Sequence, residues 1–379
     1  MKYNKPFSIF VHVNSALVSV IFIFLLIAGM TSFLSVKMTS DSVGQILGTS
    51  NLNNLFLYFF GSENKYFIQS HKEINEIPIT KVGFQIATNI KINDIKSLFE
   101  RELPGFAEFN TKIQIAGQGT DITTLPIESS PPIEVLLKEN EVAKDTPSDN
   151  KTIDNPATPT ADKKVVYLYH THSWEAYLPL LNQVTSPNQS VSSNNRVNVV
   201  GVGEMLVKDL EAKGIGVEHN TNNMAEGLHA KGWDTNHSYQ YSRGLVQEAM
   251  ATNHDLTFNI DIHRDSLRKE KTTAMINNKS YARLDFIVGE ANPNFQQNLE
   301  LAKQLHATVE KKYPGLSRGV LSKNKTTGNG VYNQDLSPRA ILIEVGGVDN
   351  NYDELQNAMA AFADAFSEYY WKSKDAHAF

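Results

Sequence analysis

The stretch that is most informative about the fold is Leu-Thr-Phe-Asn-Ile-Asp-Ile-His-Arg-Asp, which occupies residues 256–265. Its first seven residues are strand-like and have the length of a buried β-strand, and polar side chains that could carry chemistry follow. Two other runs are organised in the same way. Val-Val-Tyr-Leu-Tyr at 165–169 precedes His-Thr-His-Ser-Trp-Glu, and Ala-Ile-Leu-Ile at 340–343 precedes Glu-Val-Gly-Gly. The pattern predicts three strands whose carboxyl ends bear metal-competent or acid–base groups.

Helical patterns alternate with these strands along the chain. Four segments have helical spacing and two more are strand-like: 199–210, 239–251, 295–313 and 352–371, then 215–217 and 284–288. Strands that alternate with helices predict an α/β fold, with a mainly parallel central sheet flanked by helices over residues 164–379. In such sheets the functional crevice lies at the carboxyl ends of the strands.

Two histidines and two glutamates lie at these strand ends. His172, Glu175 and His263 are of the type that binds catalytic zinc, which takes three His or carboxylate ligands and leaves one position for water. Bound zinc makes a hydroxide available near neutral pH and polarises a scissile carbonyl. Glu344 ends an apolar run, where a carboxylate is costly to bury, and is the candidate for moving the proton to the leaving group. These residues favour a metal-dependent hydrolase.

Each of these residues also has a purely structural interpretation. A single histidine after a strand is most often structural or exposed, and Glu344 could simply accept hydrogen bonds from a tight turn at Gly346–Gly347. His170 lies two residues before His172, so both point to one side of an extended chain, and His170 could bind the metal or hold a ligand. Four aromatic residues could line a sugar cleft or belong to the core or surface: Tyr239, Tyr241, Tyr370 and Trp371.

The composition excludes several classes of function. The chain has 379 residues, of which 41% are hydrophobic and 20% charged, as in a globular protein with room for a large domain and a smaller one. A net charge of -6 without a long basic run argues against a nucleic-acid partner. The absence of cysteine excludes disulfides, thiolate ligands and a cysteine nucleophile. No G-x-S-x-G, H-E-x-x-H or P-loop motif is present.

The N-terminal segment has the character of a membrane anchor. No Asp, Glu, Lys or Arg occurs between Lys5 and Lys37, and the apolar centre at 17–34 is long enough for a helix to cross a bilayer. Lys2 and Lys5 predict a cytoplasmic N-terminus. Residues 1–36 are therefore interpreted as a cytoplasmic tip and a single-pass signal anchor in the cell membrane, with the rest extracytoplasmic. A cleaved signal peptide, for which no A-x-A site is evident, and a buried soluble helix are the alternatives.

Two segments separate the predicted anchor from the predicted sheet. Residues 37–116 mix apolar and polar patches and are expected to form a small, mostly helical membrane-proximal region. Residues 117–163 are rich in Pro, Ser, Thr, Asp and Asn, which bury too little apolar surface to offset the entropy of ordering. This stretch is predicted to be a flexible linker, with an ordered, irregular surface loop as the alternative.

Three motifs in the chain resemble those of the stage II sporulation protein P family. They are the segment Tyr167–Tyr177, with its His-Thr-His-x-x-Glu, the segment Asp261–Ser266, and the segment Ile343–Asn350. The resemblance covers roughly residues 164–372 and agrees with an anchor followed by a linker. It implies a fold similar to zinc-dependent N-acetylmuramoyl-L-alanine amidases, which cleave the amide between muramic acid and L-Ala of peptidoglycan, with endopeptidase action on cross-links as a further activity.

The resemblance also implies a biological setting and partners. Members act at the sporulation septum during engulfment, alongside a lytic transglycosylase and a polytopic membrane scaffold. Two other functions remain open for a domain of this kind. One is a non-catalytic module that grips glycan strands, and the other is a zinc deacetylase that acts on cell-wall sugars.

The resemblance extends to individual site residues. His172 and His263 are similar to the two metal histidines of the wider amidase class, and Glu344 to its catalytic glutamate. The ligand glutamate of that class lies farther along, where this chain has Asn195 and Arg196, so Glu175 is assigned to the metal instead.

Arg264, directly after His263, has three possible roles. It could bind a substrate carboxylate, orient Glu344, or be a structural ion-pair residue.

Overall fold

The computed structural model describes residues 111–126, 131–137, 140, 142–143, 163–182, 184, 186 and 190–376. The predicted anchor at 1–36 and nearly all of the predicted membrane-proximal region lie outside these residues. In the part of the chain that is described, no helix combines the length and the apolar character that crossing a membrane requires.

The described residues form nine strands and seven α-helices. The strands are β1 (Lys112–Ala116), β2 (Lys164–Tyr169), β3 (Gly216–His219), β4 (Phe258–Asp265), β5 (Thr273–Ile276), β6 (Lys279–Ala282), β7 (Leu284–Gly289), β8 (Ser317–Lys323) and β9 (Ala340–Gly347). The helices are α1 (Ile133–Leu136), α2 (Val199–Glu211), α3 (Met224–Ala230), α4 (Ser238–Thr252), α5 (Lys269–Thr272), α6 (Phe295–Lys312) and α7 (Tyr352–Ala376).

A seven-stranded sheet in the order β1-β8-β7-β9-β4-β2-β3 organises the domain, and β5 and β6 form a separate hairpin. The pairs β2–β3, β2–β4, β4–β9 and β7–β8 are parallel, whereas β1–β8 and β7–β9 are antiparallel. The sheet is therefore mainly parallel, as predicted. Every residue of the central strands β4 and β9 is buried, including the polar residues Asn259 and Asp261 that alternate with the apolar ones in β4.

Helices cover both faces of the sheet. Side chains alternate between the two faces along each strand, and β2 shows which helices each face packs against. In β2, Val166 and Leu168 point into the larger core, which also contains buried residues of α2, α6 and α7. Tyr167 and Tyr169 point to the opposite face and pack with Val246 of α4. The structure thus confirms a mixed α/β fold with a central sheet flanked by helices.

Residues before the predicted linker, and parts of the linker itself, pack on this domain. β1 pairs antiparallel with β8 at the edge of the sheet, so the sheet begins earlier than the predicted boundary at residue 164. Leu125 is buried with Leu321 and Tyr332, and Leu136 is buried with Trp174. These isolated apolar residues find partners only in the tertiary structure, which a composition count does not detect. Residues 144–162 of the predicted linker lie outside the described residues.

The register of the three central strands determines where the candidate site lies. Tyr169, the last residue of β2, is opposite Asp261 of β4, and His263 of β4 is opposite Glu344 of β9. Residues that are far apart in the sequence therefore meet at one edge of the sheet, where β2, β4 and β9 end.

Candidate metal centre

His172, Glu175 and His263 converge in one buried group. Each offers a ligand atom, and these atoms all lie within 4.8 Å of one another. His172 Nδ1 is 3.2 Å from Glu175 Oε1, and His263 Nδ1 is 3.7 Å from Glu175 Oε2. The side chains are only 1–3% exposed. Two imidazole nitrogens therefore face the two oxygens of one carboxylate.

The local chain path explains how His172 and Glu175 come to face each other. β2 ends at Tyr169, and a turn follows in which the backbone N–H of Glu175 donates to the His172 carbonyl over 3.0 Å. The Glu175 carbonyl then accepts from the N–H of Val199 over 2.9 Å, at the start of α2. The backbone N–H of Arg264 donates to Glu175 Oε2 over 2.8 Å. The carboxylate is thus held by the same strand that carries His263.

The electrostatics of this group favour a positive charge. Burial acts to raise the pKa of Glu175, but the hydrogen bonds from His172 and His263 outweigh it, so the pKa lies below its ordinary value. Burial acts to lower the pKa of His263, but the nearby charges of Asp261 and Glu175 raise it well above the usual range. A position between carboxylates that stabilises a protonated imidazole is also one that suits a cation.

The donor set fits a divalent metal ion. Two imidazoles and a carboxylate are the ligand types of catalytic zinc and of several other first-row metals. Among the residues that the structure describes, this is the only group of three such side chains close enough to share an ion. The group is therefore a candidate metal site, and it contains the three ligands predicted from the sequence.

Glu344 lies beside the group and is 4% exposed. Burial raises its pKa well above the ordinary value; the charge of His263 opposes this shift and that of Glu175 adds to it. Its Oε2 has no hydrogen-bond partner among the described residues. The turn that follows does not donate to it, because the N–H of Gly346 donates to the Arg283 carbonyl and that of Gly347 to Asn350 Oδ1. The alternative role as an acceptor for this turn is thus not what the structure shows.

His170 is not brought into the group. Its Nε2 lies 2.9 Å from His219 Nε2, and its Nδ1 lies 3.3 Å from the Ile262 carbonyl. Burial, together with the charge of His219, lowers its pKa well below the usual value. The prediction that His170 and His172 share a side assumed an extended chain, but the strand ends at Tyr169 and the turn redirects His172.

Arg264 contributes its backbone N–H to the site as a donor to Glu175 Oε2, and its guanidinium is buried. Its guanidinium donates to the carbonyl of Asp265 over 2.8 Å and to the carbonyl and hydroxyl of Ser190, each over 3.2 Å. No carboxylate lies within ion-pair distance of it in the described part of the chain, so the structural ion-pair interpretation is not supported. Its Nε has no hydrogen-bond partner there.

Aromatic rings and one carboxylate complete the surroundings. The ring of Trp174 stacks on His172 at 5.1 Å between centroids, and Tyr239 lies 5.5 Å from His172 and 6.2 Å from His263. Tyr239 was one of the four aromatic residues considered for a cleft, whereas Trp174 was missed. Asp261, whose Oδ2 is 3.1 Å from His263 Nε2, is a further residue of the site to which the sequence motif assigns no role. Its spacing of two residues from His263 on one strand was the available signal.

Of the other three aromatic residues considered for the cleft, none contacts the candidate metal ligands. Tyr370 and Trp371 pack against each other on α7, with ring centroids 4.9 Å apart. Tyr241 packs instead in a small apolar cluster with Leu228 and Leu245.

Together these features define an α/β protein with a buried two-histidine, one-carboxylate candidate metal site at the carboxyl edge of its sheet. A family model described as Stage II sporulation protein P matches residues 93–367 of the chain. Stage II sporulation protein P of Bacillus subtilis (strain 168) is 44% identical over 370 residues, which are 96% of this chain and 92% of the relative. The chain belongs to the stage II sporulation protein P family.

Solved structures give weaker likenesses. An N-acetylmuramoyl-L-alanine amidase from Clostridium difficile 630 is 15% identical with a TM-score of 0.33, over 56% of this chain and 97% of that one. A metallo-carboxypeptidase from Burkholderia cenocepacia is 15% identical with a TM-score of 0.32, over 56% and 58% of the respective chains. Likenesses this low do not establish a shared fold or activity.

Proposed function

We propose that this protein is a zinc-dependent peptidoglycan hydrolase that cleaves the amide between muramic acid and L-Ala during sporulation. The observation that carries the proposal is the convergence of His172, Glu175 and His263 beside the buried Glu344. Membership of a sporulation family supports the biological setting. The type of donor set supports a hydrolytic metal, because two histidines and a carboxylate leave a position for water.

Each residue has a distinct role in this proposal. His172, Glu175 and His263 would hold the ion, which when bound supplies an activated water and polarises the scissile carbonyl. Glu344 accepts a proton from the attacking water and then donates it to the leaving amine. Tyr239 and Trp174 fix the imidazole rings by packing on them.

The location and partners belong to the same proposal. We expect residues 1–36 to anchor the chain in the cell membrane and the hydrolase domain to face the wall at the sporulation septum. A lytic transglycosylase would complement an amidase chemically, because one enzyme cuts the glycan strand and the other removes its peptides. A polytopic membrane protein is the expected scaffold.

Release of dye from labelled sacculi by the purified full-length protein tests this function. We expect release that a chelator abolishes and that added zinc restores, with free stem peptides in the products by mass spectrometry. Release of acetate instead would indicate a deacetylase. Binding to sacculi without any release in the presence of zinc would indicate a glycan-binding module. Cleaved cross-links with intact muramoyl amides would restrict the activity to an endopeptidase.

Glu344→Gln separates chemistry from metal binding. Glutamine preserves the shape of the buried side chain but cannot accept and return a proton, so dye release should fall about 10²–10⁴-fold. Zinc content should stay at the wild-type level, because Glu344 is not in the ligand group. Glu300→Gln, an exposed glutamate of α6, is the matched control and should keep full activity. Near-normal dye release by Glu344→Gln would remove Glu344 from the mechanism.

A further inference from the structure

Asp261 lies on the far side of the His263 ring from Glu175. It is fully buried on β4, two residues before His263, so both side chains leave the strand on one side. Asp261 Oδ2 is 3.1 Å from His263 Nε2, whereas His263 Nδ1 is 3.7 Å from Glu175 Oε2. The imidazole therefore stands between two carboxylates, one at each nitrogen, and only Glu175 belongs to the ligand group.

Asp261 is itself held by a chain of donors. The backbone N–H of Thr171 donates to Oδ1 over 2.9 Å, and the Thr171 hydroxyl lies 2.6 Å from Oδ2. The same hydroxyl is 2.9 Å from Ser242 Oγ, which is in turn 2.9 Å from Asn333 Nδ2. Asn333 Nδ2 can only donate, and the Thr171 hydroxyl has one proton to give to the carboxylate. Asn333, Ser242 and Thr171 thus form a continuous chain of polar contacts that ends at Asp261.

The far end of this chain is a strained turn. Tyr332 and Asn333 have φ values of 56° and 55°, and two successive residues other than glycine in the left-handed region carry a cost. Such a conformation persists only where its surroundings hold it. Asn333 Nδ2 bonds Ser242 Oγ and the Tyr239 carbonyl, and Tyr239 packs on both metal histidines. The turn is thus connected to the metal group in two ways. One runs through Ser242 and Thr171 to Asp261, and the other runs through Tyr239 to the two histidines.

We propose that Asp261 is a positioning residue for the metal. It accepts the Nε2–H of His263 and so selects the tautomer whose Nδ1 lone pair faces Glu175, and Thr171, Ser242 and Asn333 keep it in place. Carboxylates that orient a metal-bound histidine in this way commonly change metal affinity 10- to 100-fold when removed. Asp261 Oδ2 lies 3.1 Å from His263 Nε2, and that nitrogen makes no hydrogen bond to any other described residue. This inference rests on the proposed metal site, but not on its substrate.

Asp261→Asn is the direct test. Asparagine presents an N–H to the imidazole and so favours the wrong tautomer. We expect zinc affinity of the purified full-length protein, measured by competition with a chromophoric chelator, to fall about 10- to 100-fold. We also expect the exchange-protected imidazole Nε2–H of His263, seen by ¹⁵N–¹H NMR in the wild type, to disappear.

Asp285→Asn is the matched control, because Asp285 is equally buried but pairs with Arg318 rather than with the histidine. Its zinc affinity should remain at the wild-type level.

A second variant keeps the inference testable if Asp261→Asn does not fold. Thr171→Val removes the hydroxyl that donates to Asp261 while preserving side-chain volume and the backbone donor. Its zinc affinity should fall by less than that of Asp261→Asn, and Thr171→Ser should restore it. Wild-type affinity in either Asp261→Asn or Thr171→Val would overturn the inference. A wild-type protein that binds no zinc would overturn the proposed metal site itself, which is a separate result.

Discussion

Replacing Arg318 with methionine should destabilise the domain strongly, because this residue neutralises two buried carboxylates. Arg318 is 1% exposed on β8, and its Nη1 lies 2.6 Å from both Asp265 Oδ2 and Asp285 Oδ2. Its Nη2 also donates to the Thr124 carbonyl. Burial acts to lower the pKa of Arg318, but the charges of Asp285 and Asp265 more than compensate, so its net pKa is raised. Methionine would leave both carboxylates in the interior without a counter-charge.

The expected loss is about 3–5 kcal/mol, the usual cost of removing one partner of a buried ion pair. For a domain of this size that corresponds to a fall in Tm of roughly 6–20 °C. Thermal unfolding of the purified full-length protein at pH 7 measures it. Lys163→Met, which breaks the exposed pair between Lys163 and Asp255 at 2.9 Å, is the control and should leave Tm unchanged.

A further variant separates lost charge pairing from lost packing. Neutralising Asp265 and Asp285 to asparagine together with Arg318→Met should recover part of the stability, since the uncompensated charges are then gone. If Arg318→Met unfolded within about 1 °C of the wild type, the cluster would not stabilise the fold in the way the distances indicate.

Three further predictions concern pH, packing and the metal. Burial raises the pKa of Asp285 to about 6, above its unfolded value of 3.8, so the folded state favours the protonated form. The associated stability is present below pH ~4 and lost as pH rises to ~6, a change of about 3 kcal/mol. Asp285→Asn should remove this loss in unfolding measured from pH 4 to 8, and an unchanged profile would contradict it. Trp174→Ala removes a buried ring that packs on Leu136 and His172. The free energy of unfolding measured by chemical denaturation should fall by about 3–5 kcal/mol. A fall of less than about 1 kcal/mol would show that the site tolerates the cavity. Zinc at 100 times its Kd should stabilise the wild type by about 2.7 kcal/mol, and His263→Ala should abolish the gain. An equal gain in His263→Ala would place the zinc elsewhere.

The central elements of the fold could be predicted from the sequence because their local pattern and their environment agree. β9 begins with the apolar run Ala340–Ile343, β4 has an apolar residue at every second position from Phe258 to Ile262, and α6 has helical spacing and ends just before Pro314. β8 was missed, since Ser-Arg-Gly-Val-Leu-Ser-Lys does not look like a buried strand. Its Arg318 can be buried only because carboxylates from β4 and β7 neutralise it, which no local pattern reveals. β1 is likewise defined by its pairing with β8.

The candidate site likewise contains residues that could be predicted from the sequence and residues that could not. His172, Glu175 and His263 could be predicted because strand ends meet at one edge of a parallel sheet, whatever their separation along the chain. His170 could not be excluded, because its direction depends on where β2 ends and the turn begins. The donor chain from Asn333 to Asp261 could not be predicted either. It joins residues from four different segments through contacts that exist only in the folded protein.

The most direct test is the metal content of the purified full-length protein. After exposure to zinc and removal of the excess, elemental mass spectrometry should find about one zinc ion per wild-type chain. Glu175→Gln and His263→Ala should each lose most of it, while Glu300→Gln should retain it. A wild-type chain without zinc, or ligand variants that retain a full equivalent, would contradict the claim that these three side chains form a metal site.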